Sequence, residues 1–212
     1  MRGLLRCGAV VAALLVAVAT ATQAAEPYGL RGTLVSLDDK VLTLMDDDEE
    51  TFEVALTDDT AFFAVTPAKL SELKTGQFVG ITSIESGGQQ VALEVHIFAE
   101  DLRGTGEGHY PWDLVKGPNM MTNATVAEIK AMNPAQRQLR VTYKEGKGEN
   151  AATGEQVIAV PDFVDVVYLA KSTDPDLIMP DRKAFLLVKD AEQGPPTAIV
   201  IAIGLEGVTP PM

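Results

Sequence analysis

An internal repeat is the feature that most constrains how this chain folds. Four pairs of segments align in order and in residue type: 31–37 with 123–129, 42–44 with 141–143, 56–65 with 160–169, and 92–97 with 198–203. A sequence that repeats one pattern at this scale builds the same structural unit twice. We therefore expect the chain to contain two copies of one small domain.

Each copy has the pattern of a β domain. Apolar residues recur at every second position and β-branched residues are abundant, which predicts about five strands per half. Turn residues at 38–39, 46–48 and 87–88 predict hairpins between them. One helix is expected at 67–74, whereas a full helix is less expected at 175–180, the equivalent place in the second half. This order predicts an all-β protein of two tandem, small OB-like five-stranded barrels.

The N-terminus has the features of a secretory signal peptide. Arg2 and Arg6 precede an apolar run at 8–19, and Ala24 is a small residue suited to cleavage. An uncleaved anchor is the alternative, although the run is shorter than the ~20 residues that span a bilayer. We predict a signal peptide at 1–24, a first barrel at 25–100, a linker at 101–122 and a second barrel at 123–212. The expected location is the periplasm.

Charge and cysteine content exclude several classes of function. The chain has 17 basic and 30 acidic residues, a formal net charge of -13, which argues against a nucleic-acid partner. The single cysteine, Cys7, lies within the predicted signal peptide, so the mature chain would have no thiolate metal site or cysteine nucleophile. No second apolar segment is long enough to make a membrane-spanning permease.

The linker concentrates the residues that a binding site would use. With four glycines and two prolines, segment 101–121 cannot form a regular helix or a central strand. The candidates are one histidine, two aromatic residues, one carboxylate and two methionines, joined by the histidine of the preceding strand: His109, Tyr110, Trp112, Asp113, Met120, Met121 and His96. Histidine and methionine are the soft ligands that Cu(I) prefers, so copper is the first candidate ion.

The geometry of a strand limits this metal site. Met120 and Met121 are adjacent and would point in opposite directions, so at most one of them can join His109. His96 is expected on the same strand face as Glu94 and Phe98, and it aligns with Ala202 of the second half. The alternative interpretation is structural, with Tyr110 and Trp112 packed in the groove between the barrels.

Three other patterns give weaker indications of function. Ten carboxylates lie between residues 38 and 59; they could hold a hard cation, but the spacing of an EF-hand is absent and a solvated hairpin is favoured. The glycines of 104–108 do not precede a helix, so a nucleotide loop is not expected. No serine lies in a nucleophile-elbow pattern, and we expect no enzyme activity.

Segments 103–113 and 121–125 also carry a resemblance. Together with the paired halves, they make the chain similar to uncharacterised exported proteobacterial proteins, which are often labelled "metal ABC transporter permease". The resemblance implies a Gram-negative periplasmic setting and tandem OB-like domains, with no established activity to inherit. The label itself does not fit a mature chain without a membrane segment.

The sequence thus predicts a periplasmic, non-catalytic binding or accessory protein. The first hypothesis is binding of a soft metal ion such as copper through His109 and either Met120 or Met121, with His96 and Trp112 as neighbours. The alternative is a protein-interaction or envelope-assembly module that uses the groove between the barrels, where a partner strand could add to an exposed edge.

Overall fold

The computed structural model describes residues 26–133, 135–146 and 151–212. The signal peptide predicted at 1–24, including Cys7 and the cleavage position at Ala24, lies outside the described residues. The described part of the chain is all-β, with 13 strands: β1 (Tyr28–Asp38), β2 (Val41–Met45), β3 (Thr51–Ala55), β4 (Ala61–Ala68), β5 (Phe78–Ser86), β6 (Gln89–Phe98), β7 (Gly108–Trp112), β8 (Asn119–Asn133), β9 (Gln136–Glu145), β10 (Ala152–Pro161), β11 (Asp165–Lys171), β12 (Lys183–Lys189) and β13 (Thr197–Gly204). The class predicted from the alternating pattern is confirmed.

Helical structure in the described residues is limited to three 3-10 turns, Leu70–Glu72, Glu100–Leu102 and Pro175–Leu177. The helix predicted at 67–74 is wrong, because Thr66 and Pro67 pair with Tyr168 and Val167 in the sheet. No helical segment within these described ranges is long and apolar enough to cross a membrane.

All the strands join one connected sheet with the order β10-β9-β8-β5-β6-β11-β4-β13-β12-β1-β2-β3, and β7 pairs with β8. Two additional parallel pairings, β10 with β6 and β13 with β3, connect strands that lie apart in this order. They close two rings of paired strands. We call the ring of β5, β6, β8, β9 and β10 circuit 1, and the ring of β1, β2, β3, β12 and β13 circuit 2.

Both circuits combine strands from the two halves of the sequence. Circuit 1 takes β5 and β6 from the first half and β8 to β10 from the second, whereas circuit 2 takes β1 to β3 from the first half and β12 and β13 from the second. Tandem barrels made from 25–100 and 123–212 are therefore not confirmed. The physical reason is the antiparallel pairing of β4 with β11, centred near Val65 and Leu169, which carries each half across to the other circuit.

The strand registers are the same in the two halves of the chain, so they show which residues are equivalent and test the sequence alignment. Glu94 to Phe98 pair with Asp165 to Leu169, and Val200 to Gly204 pair with Ala61 to Val65 in the same parallel arrangement. His96 and Ala202 therefore occupy equivalent positions, as predicted. The alignment of 42–44 with 141–143 is wrong by two residues. Leu34 and Val126 are equivalent, and they pair with Leu44 and Val141, so Val141 corresponds to Leu44 and not to Leu42. A shift of two preserves the inward and outward faces, so alternation alone did not reveal it.

The core has three parts. Val95 and Ile97 of β6 belong to a cluster within circuit 1, and their counterparts Ile201 and Ile203 of β13 belong to a cluster within circuit 2. A third cluster lies between the circuits and is built largely from β4, β11 and the outward side chains of their neighbours: Phe63, Val65, Phe78, Phe98, Ala99, Leu102, Val167, Leu169, Phe185, Ala202 and Met212. This third cluster positions the candidate site.

Candidate functional site: a cavity between the two circuits

A cavity of about 150 Å³ lies between the circuits, beside the third core cluster. Four of the residues predicted for a site line it: His96, Tyr110, Trp112 and Met121. Met212, from the segment after β13, lines it as well. The predicted site residues His109, Asp113 and Met120 are not part of the lining. The structure therefore brings together one of the two histidines and one of the two adjacent methionines.

Strand β6 presents His96 to the cavity in a stretch of regular alternation that follows a β-bulge. Thr82 pairs with Glu94 and Ser83 with Ala92, so Leu93 is the extra residue. The bulge places Ala92 in the core of circuit 1 with Val95 and Ile97, whereas Leu93, expected there from simple alternation, is only half-buried. Beyond the bulge the alternation is regular, and His96 and Phe98 face away from that core.

A buried carboxylate holds the imidazole of His96. Glu94 is 1% exposed and His96 is 2% exposed, and Oε2 of Glu94 lies 3.0 Å from Nδ1 of His96. The other oxygen of Glu94, Oε1, accepts hydrogen bonds from the backbone N–H of Thr82 at 2.9 Å and from its hydroxyl at 2.6 Å. An ionised carboxylate can only accept, so with Glu94 ionised Nδ1 of His96 carries the proton, and in the neutral imidazole Nε2 then presents its lone pair.

The imidazole fits because its neighbour on β5 is a glycine. Gly80 pairs with His96 on one side and with Asn123 on the other. A Cβ at Gly80 would overlap Nε2 and Cε1 of His96 and would lie 2.5 Å from Oδ1 of Asn123. The absent side chain therefore leaves the space in which Nε2 and the Asn123 amide oxygen lie side by side.

Two buried polar atoms at the cavity, Nε1 of Trp112 and Oδ1 of Asn123, have no hydrogen-bond partner within the described chain. The amide nitrogen of Asn123, in contrast, donates to the carbonyl of Gly106 at 3.1 Å and to the hydroxyl of Tyr110 at 3.0 Å. Burial raises the pKa of Tyr110, so its hydroxyl keeps its proton. A buried donor and a buried acceptor without partners indicate a place where a ligand or water completes the hydrogen bonding.

The opposite side of the cavity is apolar and comes from circuit 2. It is formed by Phe185, Leu187 and Val200, with Met212 beside them. Arg31 lies next to this surface: its Nε donates to the carbonyl of Met212 at 2.6 Å, and its guanidinium lies 5.0 Å from the centre of the Phe185 ring. The same guanidinium forms a 2.7 Å salt bridge with Asp113. Asp113 thus anchors the linker to circuit 2.

His109 lies on the other face of the β7–β8 ladder. It pairs with Thr122, and its Nδ1 lies 2.8 Å from the Thr122 hydroxyl, whereas the adjacent pair Tyr110 and Met121 faces the cavity. Burial lowers the pKa of His109 below 6.5, and the nearby carboxylate of Glu145 opposes this effect. His109 and Met121 therefore face in opposite directions, and they do not form the predicted ligand pair in this conformation.

The acidic segment is a solvated hairpin tip. Asp46 accepts hydrogen bonds from the backbone N–H groups of Asp48 and Glu50, and most of the carboxylates around it are exposed. Within residues 26–133, 135–146 and 151–212, no three His, Cys, Asp or Glu side chains are grouped closely enough to hold a metal ion. A site for a hard cation thus has no support from this part of the chain.

Among the residues at or beside the cavity that sequence reasoning missed, five bear on the polar site and its sulfur ligands: Gly80, Thr82, Glu94, Asn123 and Met212. Glu94 offered a usable signal, because it precedes His96 by two residues and so shares its face on a strand. Gly80 interrupts a strand pattern, which indicates close approach of another group. Comparisons of the chain with protein-family models, with curated proteins and with solved structures find no match.

Proposed function

We propose that this protein is a non-catalytic binding protein that holds a soft metal ion, Cu(I) first, in the cavity between the circuits. The ligands are Nε2 of His96 and the thioether sulfur of Met121. The observation that carries the proposal is that a carboxylate-held imidazole and a methionine line the same cavity. The proposal keeps the ion expected from the sequence and replaces His109 with His96 as its histidine ligand.

The arrangement around His96 supports a ligand role. Histidines that bind metals almost always donate their second ring N–H to a carboxylate, a carbonyl or water, which fixes the ring and raises its basicity. Glu94 provides such an acceptor and is itself held by Thr82. Imidazole and thioether together favour Cu(I) over hard ions such as Mg²⁺ or Ca²⁺.

Charge also favours a cation. Glu94 is a buried carboxylate whose three hydrogen bonds come from Thr82 and His96, and no arginine or lysine forms a salt bridge with it in the described chain. A buried negative charge is costly unless a positive charge lies near it. A monovalent cation on Nε2 would lie one imidazole away from Glu94, and the indole of Trp112 lines the same cavity.

The finer architecture and location belong to the same proposal. We infer that each circuit is a small OB-like barrel, which is supported by five strands per circuit and by the closing pairs Ile158–Gln90 and Thr197–Ala55. We also infer export to the periplasm, supported by the leader-like segment 1–24.

A second candidate is the interaction module. Strand β7 pairs with β8 alone among the described strands, so its outer edge is available to an extended segment of an envelope protein. Pro111 lies within this strand and removes one hydrogen-bond donor from it, which weakens the case. Val200, an apolar residue of β13, lines the internal cavity and so is not part of such a binding edge. If this candidate were correct, partner binding would be unchanged by a copper chelator and by replacement of His96.

The two histidines provide a matched test. We would titrate Cu(I) without oxygen into residues 25–212, using a chromogenic chelator as competitor, and compare the wild type with His96→Gln and His109→Gln. We expect His96→Gln to weaken Cu(I) binding by at least about tenfold, with His109→Gln close to the wild type. Met121→Leu is a second variant that spares the Glu94 network and should weaken binding to a similar extent.

Thermal unfolding of each variant controls for loss of the fold. The proposal fails if the wild type binds Cu(I) no more tightly than micromolar. It also fails if His109→Gln, but not His96→Gln or Met121→Leu, abolishes binding.

A further inference from the structure

The segment that follows β13 returns to the cavity. After Gly204 the chain turns, with the N–H of Val208 donating to the carbonyl of Leu205 at 3.0 Å. Gly204 permits this close return, because a Cβ there would overlap the carbonyl oxygen of Val208. Met212 is only 7% exposed at the end of this path, and it belongs to both the cavity lining and the third core cluster.

Arg31 fastens this segment from circuit 2. Its Nε donates to the Met212 carbonyl at 2.6 Å, and its guanidinium reaches Asp113, next to Trp112 in the linker. The indole of Trp112 lies 6.0 Å from the ring of Phe185, over which the same guanidinium is placed. One arginine therefore connects the final segment, the linker and the apolar side of the cavity.

We propose that Met212 supplies a third soft donor to the cavity, which makes it a site of one imidazole and two thioethers closed by the segment 205–212. This inference rests on the proposed function and adds a ligand to it. Met121 and Met212 are the only sulfur-containing residues in the cavity lining. An aliphatic side chain would fill the same space, but only methionine adds a donor that prefers Cu(I).

The repeat explains why the third donor comes from outside the circuits. Met121 pairs with Thr82 in circuit 1, and the equivalent residue in circuit 2 is Gly29, which pairs with Leu187. Circuit 2 therefore brings no sulfur to the cavity from its own strands. The segment that follows β6 also reaches the cavity, through Thr105 and Gly106, but neither residue carries a sulfur atom.

The test measures both affinity and the number of sulfur ligands. We would determine the Cu(I) affinity of the wild type, Met212→Leu, Met121→Leu and Met132→Leu under the same competition conditions. Leucine keeps the apolar volume and removes the thioether. Met132 is 49% exposed at the far end of β8 and serves as the matched control.

We expect Met212→Leu to weaken Cu(I) binding by about 10- to 100-fold, and Met132→Leu to have no effect. X-ray absorption at the copper edge should count two sulfur neighbours in the wild type and one in Met212→Leu. Arg31→Ala should weaken binding less than Met212→Leu, because the thioether remains but is no longer fastened.

The outcomes separate this inference from the proposed function. If the wild type does not bind Cu(I), the proposed function is wrong and no site exists for Met212 to complete. If the wild type binds through His96 and Met121 but Met212→Leu has the same affinity and the same sulfur count, the proposed function stands and the role of Met212 is overturned.

Discussion

The two circuits present equivalent faces to each other across the cavity, and the chemistry of these faces is opposite. Circuit 1 has a polar face and circuit 2 an apolar face. The equivalent positions are Gly80 and Phe185, Thr82 and Leu187, Glu94 and Val200, and His96 and Ala202. Even the β-bulge recurs, at Leu93 and at Ile199. Equivalent positions of the fold thus carry either chemistry, and we predict that the polar residues serve a requirement other than folding.

The two circuits also differ in which of two neighbouring residues has the large side chain. In circuit 1 the large His96 lies beside Gly80, whereas in circuit 2 the small Ala202 lies beside the large Phe185. Each ladder therefore has one large side chain at this position, as close packing between the circuits demands. Because Ala202 and Phe185 fill the same role without polar atoms, the imidazole and its carboxylate are additions to a packing scheme that works without them.

Among the substitutions that test this comparison, replacing Gly80 should have the largest effect on stability. We expect Gly80→Ala to destabilise the protein by about 1–3 kcal/mol, because the new Cβ overlaps the His96 imidazole and crowds Asn123. The measurement is chemical denaturation of Gly80→Ala, His96→Ala and the double variant. The double variant should be more stable than the sum of the single effects predicts, since removing the imidazole makes room for the methyl group. Strict additivity would show that the two residues do not compete for space.

The sequence alone predicts the repeat, the β class, the hairpins and the equivalence of His96 with Ala202. It does not predict which strands form each circuit, because alternation specifies the two faces of a strand but not its partner. The same strands could pair with one another in several ways. The pairing of β4 with β11, in which Val65 lies opposite Leu169, is visible only in the folded structure.

The candidate site was predictable to a similar extent. Residue type pointed to Trp112, Met121 and His96 as candidates, since each combines an apolar body with a chemically active atom, and the structure places all three in the cavity lining. It could not rank His96 above His109, because that ranking depends on which face of β7 turns towards the cavity and on the carboxylate of Glu94. Met212 lies 91 residues from Met121 in the sequence, and no spacing rule connects them.

Replacing Glu94 with valine, the residue type at the equivalent position 200 of circuit 2, should have the next largest effect on stability. Glu94→Val is expected to cost about 1–3 kcal/mol, because Nδ1 of His96 and the hydroxyl of Thr82 lose their buried acceptor. Transferring three of the four matched residues, Thr82→Leu with Glu94→Val and His96→Ala, should recover part of that loss, because the imidazole and the hydroxyl that would lose their acceptor are removed as well, while only the backbone N–H of residue 82 still loses Oε1 of Glu94. Thermal and chemical unfolding of both variants measure the difference. A triple variant that is less stable than Glu94→Val would mean that the polar face is needed for packing after all.

Arg31 and Asn123 form another matched pair, since Arg31 pairs with Phe185 as Asn123 pairs with Gly80. We expect Arg31→Ala to cost no more than about 1 kcal/mol in global stability, because the salt bridge to Asp113 is partly exposed. Its local effect should be larger: amide hydrogen exchange in 208–212 should become faster, because the carbonyl of Met212 loses its donor. Exchange at the β8–β9 hairpin is the internal control. Unchanged protection in 208–212 would show that packing alone holds the segment.

The smallest expected effect concerns His109, which lies in the linker outside the repeat. Burial disfavours its charged form, so NMR titration should give His109 a pKa below 6.5. Because the folded state then binds this proton less readily than the unfolded state, the stabilising contribution is complete above pH 6.5 and is lost as the pH falls through the folded pKa. In His109→Gln the free energy of unfolding should therefore decrease less between pH 7 and pH 5 than in the wild type. A pKa above 6.5 would mean that Glu145 dominates over burial, and the slope of stability against pH at His109 would then have the opposite sign.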